Sequence, residues 1–528
     1  MASMEKNIVI FGAGVAGLTA AHALIKRGIK VSIHEKNDNI GGLVRTPRVN
    51  GYPTEHTPRV FLPPYINFYK IIKEIPLMNN KNKSVYDNLN KHGLKDVIYS
   101  KDEKIQSLFR RMISLPKSDL LYISYILCKG IFSGDSRIKC YDKVNFDKYL
   151  RKDKSKKLFN IINLIAGETL DNFSLYKMIK LVEYEINYKL GFYGKNVPTT
   201  FQGPYTETWF SHWEAYLKKK GVKFFKNSSL ESLNLKNNRI ESAIIKKSNN
   251  LFKITGDKFI LALDISSLRK VLINSKINIL DPLVLQLNAL YSKTYSEQLT
   301  VQLYFKEEIK LDFVGYFALD SDWKFIIGPQ NMLWSKNIFK GNGVKSIWSI
   351  CIPDIYLYSN RLKKKAKYCK PNELFDEILY QLNSCLRKVL KKNNLKKFTP
   401  IHKTIWKSWK FENNKFITDE PYFFNTTNTL HLRPHPTTPI KNLFLSGSFT
   451  NTSYYNYYVE GAVESGLNVA SLILNKNLVY KHNRISFLRL IYKVDDLLYK
   501  FKLPNIVDSI SIILIFYIIH KYYKKKFN

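Results

Sequence analysis

The 528-residue chain is predicted to be an α/β protein: a discontinuous, parallel-sheet dinucleotide-binding domain, a mixed α+β substrate domain and a C-terminal hydrophobic tail. Three observations predict this. Asn7 to Thr46 reads as strand, glycine turn, helix and second strand; a further strand, glycine and helix close the folded region at Ile440 to Leu474; and an apolar run, Ile506 to Ile519, is followed by basic residues.

Ile8 to Phe11 is a short buried strand, and Gly12, Gly14 and Gly17 follow in G-x-G-x-x-G register before a helical run from Val15 to Arg27. Gly12 permits the tight turn, Gly14 lets the backbone approach a pyrophosphate, and Gly17 lets helix and strand pack closely. Val15 and Ala16 open the helix, whose N-terminus faces phosphate charge. Gly28 ends the helix, Lys30 to His34 forms the second strand, and Glu35, followed by Lys36, closes it. A carboxylate there accepts both hydroxyls of an adenosine ribose and argues against a 2′-phosphate.

The continuation Gly41-Gly42-Leu43-Val44-Arg45-Thr46 separates the possible dinucleotides. A G-G-x-x-R-T run just after the ribose carboxylate resembles the amine oxidase and carotene desaturase superfamily of flavoproteins. The resemblance implies a Rossmann-like FAD-binding domain of the GR2 type. Gly41, Gly42 and Leu43 then turn the chain under the pyrophosphate and Arg45 neutralises it.

Composition fits a globular protein, with 45% hydrophobic and 24% charged residues. The formal charge of +40 is spread along the whole chain, and no compact Arg/Lys block marks a groove-binding element, so nucleic acid is not an expected partner. Five cysteines, at 128, 140, 351, 369 and 385, form no C-x-x-C pair, which favours a reducing, cytoplasmic-side compartment over secretion. The first strand begins too early for a signal peptide. His431 and His435 have metal-like spacing, but Pro434 and Pro436 forbid the helix that would put them on one face, and no metal is expected.

Gly51 to Asn67, leading into a helix from Phe68 to Ile75, resembles the loop that carotene desaturases carry under the flavin. Glu55, Val60, Phe61, Tyr65 and Asn67 match that pattern, while Thr57 and Arg59 stand where it has glycine and histidine. Pro76 to Asn196 reads as mainly helical. Its Leu108 to Phe132 portion suits either a core helix pair of a cap domain or an amphipathic surface dipping into a membrane. The helix Glu207 to Lys220, the strand Val222 to Phe225, Leu230 to Leu235 and a turn at Asn237-Asn238 resemble the return of the chain to the FAD adenosine, with Leu230 on the adenine side. Asp257 to Leu263 reads as a further buried parallel strand, with Asp264 and Ser266 capping the next helix. Tyr291 to Phe305 and Val314 to Ile352 alternate as half-buried sheet, and Leu374 to Leu390 is an amphipathic helix. Trp406 and Trp409 either pack in a core or face the flavin cavity.

In the closing unit, strand Leu443 to Leu445 meets Gly447, and a helix starts near Glu460-Gly461-Ala462. In the flavoprotein family a similar strand, glycine, loop and E-G-A-x-x-S-G helix closes the isoalloxazine pocket, the helix N-terminus stabilising negative charge on the reduced flavin. Gly447, Ser448, Glu460, Gly461 and Ala462 are the implied contacts. Ser448 replaces the acid that the family commonly uses on the ribityl chain. No cysteine lies in this motif, so the FAD is expected to be noncovalent.

Six segments follow: 1–75, 201–290 and 401–475 form the FAD-binding domain, 76–200 a helical cap, 291–400 the substrate sheet and helix, and 476–528 an amphipathic segment with a membrane-anchor tail. The nearest relatives by motif order resemble plant-type carotene desaturases and hydroxysqualene-processing flavoenzymes. They imply hydride abstraction from a C–H bond of a lipophilic isoprenoid, carotenoid or squalene-like substrate to flavin N5, with oxygen or a quinone as acceptor. No residue is singled out as catalytic. Two other readings stay open: an amine oxidase with Tyr454, Tyr455, Tyr457 and Tyr458 as cage candidates, and a redox-neutral isomerase or interaction protein whose FAD is structural. As a helix the fourteen residues 506–519 reach only about 21 Å, short of a bilayer's roughly 30 Å core, so the tail suits a shallow anchor as well as a span. The last helix could also dock on the globular body. The sequence sets no oligomeric state.

Overall fold

The structure, a computed structural model, describes residues 7–57, 59–90, 96–99, 104–105, 115–156, 158–159, 170–277, 281–311, 315–318, 321–335, 343–482 and 484–527. Contacts divide the chain into two compact units. The first comprises 1–107, 196–424 and 432–481, and the second 108–195, 425–431 and 482–528.

The first unit is organised on a five-stranded parallel sheet. Its strands are β1 (Asn7–Phe11), β2 (Lys30–His34), β3 (Lys223–Phe225), β4 (Lys258–Leu261) and β5 (Leu443–Leu445), in the spatial order β5-β4-β1-β2-β3. Every pairing is parallel, with Ile8 opposite both Val31 and Lys258 and Leu261 opposite Leu445. Such strands are covered on both faces, which is why they read as continuous apolar runs. One core joins Val9, Phe11, Phe259, Leu261, Leu443 and Leu445 to Leu268 and Leu272. Helix α1 (Val15–Ile25) follows β1, α2 (Ile66–Lys73) caps the first segment, α3 (Ile265–Asn274) follows β4 and α4 (Val459–Leu474) follows β5. α1 and α4 cross closely because Gly466 has no side chain; a Cβ there would lie 2.4 Å from the Ala16 carbonyl oxygen.

A second, seven-stranded sheet belongs to the same unit. Its order is His402–Ile405, Leu299–Phe305, Ser346–Ile352, Phe325–Pro329, Gly315–Ala318, Asp96–Tyr99 and Lys104–Ile105. Leu299–Phe305 and Ser346–Ile352 pair antiparallel and are buried throughout. Both faces are therefore covered, rather than one as alternation suggested. The helix Pro371–Cys385 packs Leu374, Ile378 and Leu382 into the same core as Val301, Leu303 and Ile350. Asp96–Tyr99 and Lys104–Ile105 add two short strands to a Pro76 to Asn196 stretch that is otherwise mainly helical among the described residues. Their pattern is too short to register, and Gly315–Ala318 completes the ladder from far along the chain.

The second unit is helical. Lys117–Phe132 and Leu175–Lys189 enclose a core containing Ile123, Leu127, Phe146, Met178 and Ile179, to which Ile485 and Tyr492 contribute. Part of the expected 108–132 amphipathic stretch, residues 108–114, lies outside the described residues. The terminal helix Ile506–Phe527 has 22 residues instead of fourteen, because no glycine or proline follows Ile519 to stop it. Its Asp508 carboxylate accepts from Lys129 Nζ at 2.6 Å and from the Tyr125 hydroxyl.

Candidate functional site

A cavity of about 550 Å³ lies along the C-terminal edge of the parallel sheet in the first unit. Helix N-termini of α1, α3 and α4 reach its wall through Val15, Ile265 and Val459. α1 and α4 have no side-chain cap at their first N–H groups, whereas Asp264 caps α3 by accepting from Ser267 N at 2.9 Å. Two helix ends without a side-chain cap direct positive dipole ends at one cavity, which suits an anionic ligand.

The glycine turn supplies the approach. Gly12 has φ of 102°, and a Cβ there would lie 2.4 Å from the Ala262 carbonyl oxygen, so the fold itself demands glycine. Gly14 is different. A Cβ on Gly14 would meet only the Gly42 Cα, at 3.8 Å, an ordinary contact, yet both glycines line the cavity. The protein leaves that space for something else, and a pyrophosphate fits the cradle between them.

Glu35 lies on the cavity wall and is buried. Its two oxygens accept from Ala13 N at 2.7 Å and from Asn37 N and Nδ2 at 2.9 Å. The end of β2 holds it, through Glu35 N to the Phe225 carbonyl and Ser228 N to the Glu35 carbonyl. Lys36, Leu43 and Leu230 complete that end, with Ser228 and Ser229 beside them.

At the middle of the cavity Arg45 donates to the Gly42 carbonyl and to Glu420, each at 2.7 Å. Trp406 Nε1 donates to the other Glu420 oxygen at 3.0 Å, and the guanidinium lies 5.1 Å from the Trp406 ring centroid. Burial works against ionisation of Glu420, but the Arg45 charge and hydrogen bond prevail and hold its carboxyl below the usual range. Arg59 also reaches the wall and donates to the Leu43 carbonyl at 2.8 Å.

At the far end are Gly447, Ser448, Tyr457, Tyr458 and Ala462. Ser465 accepts from Gly447 N at 2.7 Å, and Arg433 donates to the Ser448 carbonyl at 2.7 Å, so both sides of the β5–α4 loop are pinned.

Several expected contacts lie elsewhere. Gly17, Val60, Phe61, Glu460 and Gly461 are not on the cavity wall. Gly17 is tucked against the Gly12 carbonyl, and Phe61 stacks on Phe68 within an aromatic cluster that includes Trp209. Glu460 accepts from Asn67 N and Nδ2 and from Phe68 N at 2.8–3.0 Å, so it caps α2 and ties it to α4. The Gly461 backbone lies against the Asn456 carbonyl. Sequence reasoning missed Glu420 and Tyr422, which follow a short β-hairpin, because a lone acid beside proline carries no motif. The Asp264 cap did signal the approach of α3.

Next to this wall is a second polar cluster. Glu55 is fully buried and accepts from Ser349 Oγ and Gln330 Nε2 through one oxygen, while its other oxygen has no hydrogen-bond partner among the described residues. Burial pushes its carboxyl up to about 7. His56 Nε2 donates to the Glu420 carbonyl oxygen at 3.0 Å, and burial with the nearby Arg59 charge lowers its imidazole to about 4.

Comparison with known proteins agrees with this geometry. Residues 10–75 match the model of the NAD(P)-binding Rossmann-like domain, and residues 211–474 that of the flavin containing amine oxidoreductase family. A 4,4'-diapolycopen-4-al dehydrogenase of Metabacillus indicus is 24% identical over 298 residues, 50% of this chain and 57% of that protein. A 4,4'-diapophytoene desaturase (4,4'-diaponeurosporene-forming) of Staphylococcus aureus is 31% identical over 100 residues, 19% of each chain. The chain thus spans little more than half the length of the first of these relatives and less of the second. Among solved structures, a putrescine oxidase bound to putrescine superimposes with a TM-score of 0.61 at 15% identity, covering 90% of this chain and 100% of that one. That likeness concerns the fold.

Proposed function

The chain belongs to the flavin-containing amine oxidoreductases and is an FAD-dependent oxidoreductase, and on that premise we propose that it dehydrogenates a long apolar substrate of isoprenoid, carotenoid or squalene type. The supporting observation for the cofactor site is the single cavity that runs from Glu35 past the Gly14–Gly42 cradle to the N-terminus of α4. When bound, FAD supplies a two-electron oxidant whose N5 takes hydride from a substrate carbon. Glu35 would hold the ribose, Leu230 the adenine side, Gly14, Gly42 and the α1 N-terminus the pyrophosphate, and Gly447, Ser448 and Ala462 the isoalloxazine end. None of the cavity-lining residues is a cysteine, which supports noncovalent binding. The α4 N-terminus favours negative charge beside it and lowers the cost of electron uptake there. Substrate class rests on the carotenoid chemistry printed in the relatives' names, and oxygen or a quinone is the proposed acceptor.

A second reading, oxidation of a neutral amine, is favoured by Tyr457 and Tyr458, which line the cavity, while Tyr454 and Tyr455 are buried and off its wall. Anaerobic mixing separates the two. Bleaching of the flavin absorbance by a polyene or squalene-type lipid is expected; bleaching by amines alone overturns the substrate class, and bleaching by neither leaves a structural FAD.

We also place the enzyme at a membrane through Ile506–Phe527. The candidate span, Ile506–Lys524, has 19 residues and gives about 28 Å of helix, close to a hydrocarbon core of roughly 30 Å, and none of it is buried. The expected result is full-length protein in the membrane fraction, released by detergent and not by salt or carbonate.

A further inference from the structure

In the second unit the helix Arg489–Lys500 is turned inside out. Its acidic residues face the protein: the Asp495 carboxylate, fully buried, accepts from Gly134 N at 2.7 Å and Arg137 Nε at 2.9 Å, and Asn505 Nδ2 reaches its other oxygen at 3.1 Å. Asp496 accepts from Ser136 N at 2.8 Å. Tyr492 is buried with Arg484 stacked 3.8 Å from its ring centroid. Leu488 and Ile491 pack inward, but a row of apolar residues faces out. Phe487, Leu490, Val494, Leu497 and Phe501 are 67%, 74%, 41%, 56% and 65% exposed, at spacings of three and four that form one continuous stripe.

We propose that this stripe is a bilayer-docking face that lies in the headgroup boundary of an anionic membrane, beside the terminal helix; the proposal rests on the membrane reading above. A surface helix normally shows the reverse arrangement, and five large apolar side chains along one line of a soluble surface mark an interaction site. Charge selects the occupant. Arg489, Lys493, Lys500 and Lys502 are exposed along the same segment, while both aspartates are engaged with the protein side, so the outward charge is wholly basic. Apolar residues flanked by lysine and arginine suit acyl chains below and lipid phosphates at the rim. Continuity supports the same occupant. Leu503 and Pro504 are exposed, Asn505 is buried and tied to Asp495 and Ser133, and the unburied apolar helix begins at Ile506. Tyr125 and Lys129 hold Asp508 at that start, so the two elements are fixed to one body instead of hanging from a linker.

The test uses the full-length flavoprotein with Cys128 and Cys140 replaced by serine, because both are exposed. An environment-sensitive fluorophore is placed singly by Leu497→Cys, by Lys493→Cys and by Ile515→Cys, and each protein is mixed with phosphatidylcholine vesicles containing phosphatidylserine. The expected result is a blue shift and loss of iodide quenching at 497, with quenching by lipid-borne spin label, and retained iodide access at 493. Replacing both Lys493 and Lys500 by glutamine should weaken the 497 response by about fivefold per lysine, and removal of phosphatidylserine should do the same. A 515 label that enters lipid while the 497 label stays in water overturns the docking face and leaves the tail anchor standing. Both labels in water overturn both readings. A 497 label shielded without vesicles, in a chain that sediments as a dimer, assigns the stripe to a second copy and overturns the proposal.

Discussion

Arg45 and Glu420, separated by 375 positions, form a buried ion pair at 2.7 Å on the wall of the cavity. The cation expected to answer the pyrophosphate therefore brings its own counter-charge. Arg45 sets geometry as much as charge, because its other bond fixes the Gly42 carbonyl in the cradle.

Arg45→Met should cost roughly 3 kcal/mol of stability near neutral pH, since it leaves the buried Glu420 carboxylate without its counter-charge, and should abolish FAD retention. The Arg45 charge is what holds the Glu420 carboxyl down against burial. Thermal melts of the variant should consequently recover part of the loss as pH falls, because burial without the guanidinium favours the protonated Glu420 carboxyl. An identical deficit at pH 5 and pH 8 would show that the pair contributes packing alone.

Gly12→Ala and Gly14→Val should fail in different ways. The first clashes with the Ala262 carbonyl and should not fold; the second should fold with little change in Tm and bind no FAD. Glu35→Ala should weaken FAD about tenfold to hundredfold by removing charge-assisted hydrogen bonds to the ribose. Flavin titration of the folded apoproteins reads both effects, and a Gly14→Val protein that keeps its flavin would contradict the cradle.

Ser448 lies on the cavity wall with its carbonyl held by Arg433. Ser448→Asp should preserve or tighten FAD binding and Ser448→Ala should loosen it, measured by flavin release during dialysis. Loss of folded protein in the aspartate variant would show that the loop cannot take a second charge.

Glu55 makes the fold less stable as pH rises. Its carboxyl titrates near 4.5 when unfolded and near 7 when buried, so the native state holds the extra proton between those values and stability falls as pH climbs through that window. Glu55→Gln keeps an acceptor for Ser349 and Gln330 without the charge. It should raise Tm at pH 8 and change it little at pH 4.5. His56 acts oppositely, because its native value near 4 lies below the ordinary 6.5 and stability is lost as pH falls through that range. A Glu55→Gln gain of equal size at both pH values would exclude ionisation as its source.

Both ends of the cofactor fold were legible because their signals are local. Gly12, Gly14 and Glu35 fall within one βαβ unit, and Gly447, Ser448 and Ala462 within one strand–loop–helix. The middle was not, because its contacts are made between distant segments. Glu55 meets Ser349 and Gln330 about three hundred residues away, and Glu420 meets Arg45 across a longer gap. Motif position also misassigned Glu460, whose place beside the pocket helix suggested a ligand contact; its backbone partners Asn67 and Phe68 belong to α2 and leave no trace in its own neighbourhood. The segment 476–528 read as amphipathic from its sequence, and burial of Asp495 shows which side of Arg489–Lys500 faces the protein.

The parallel sheet also imposes a schedule. β1 ends at Phe11, its neighbour β4 begins at Lys258, and the edge strand β5 does not appear until Leu443. At a synthesis rate of roughly 5–20 residues per second, about 20–90 s separate emergence of the first strand from that of the last. Throughout that interval Ile8, Val9 and Ile10 have no complete sheet to enter. Nascent chains should therefore depend on holdase chaperones, and a ribosome stalled before residue 440 should display β1 and β2 to protease while lacking the far wall on which a cofactor closes the domain.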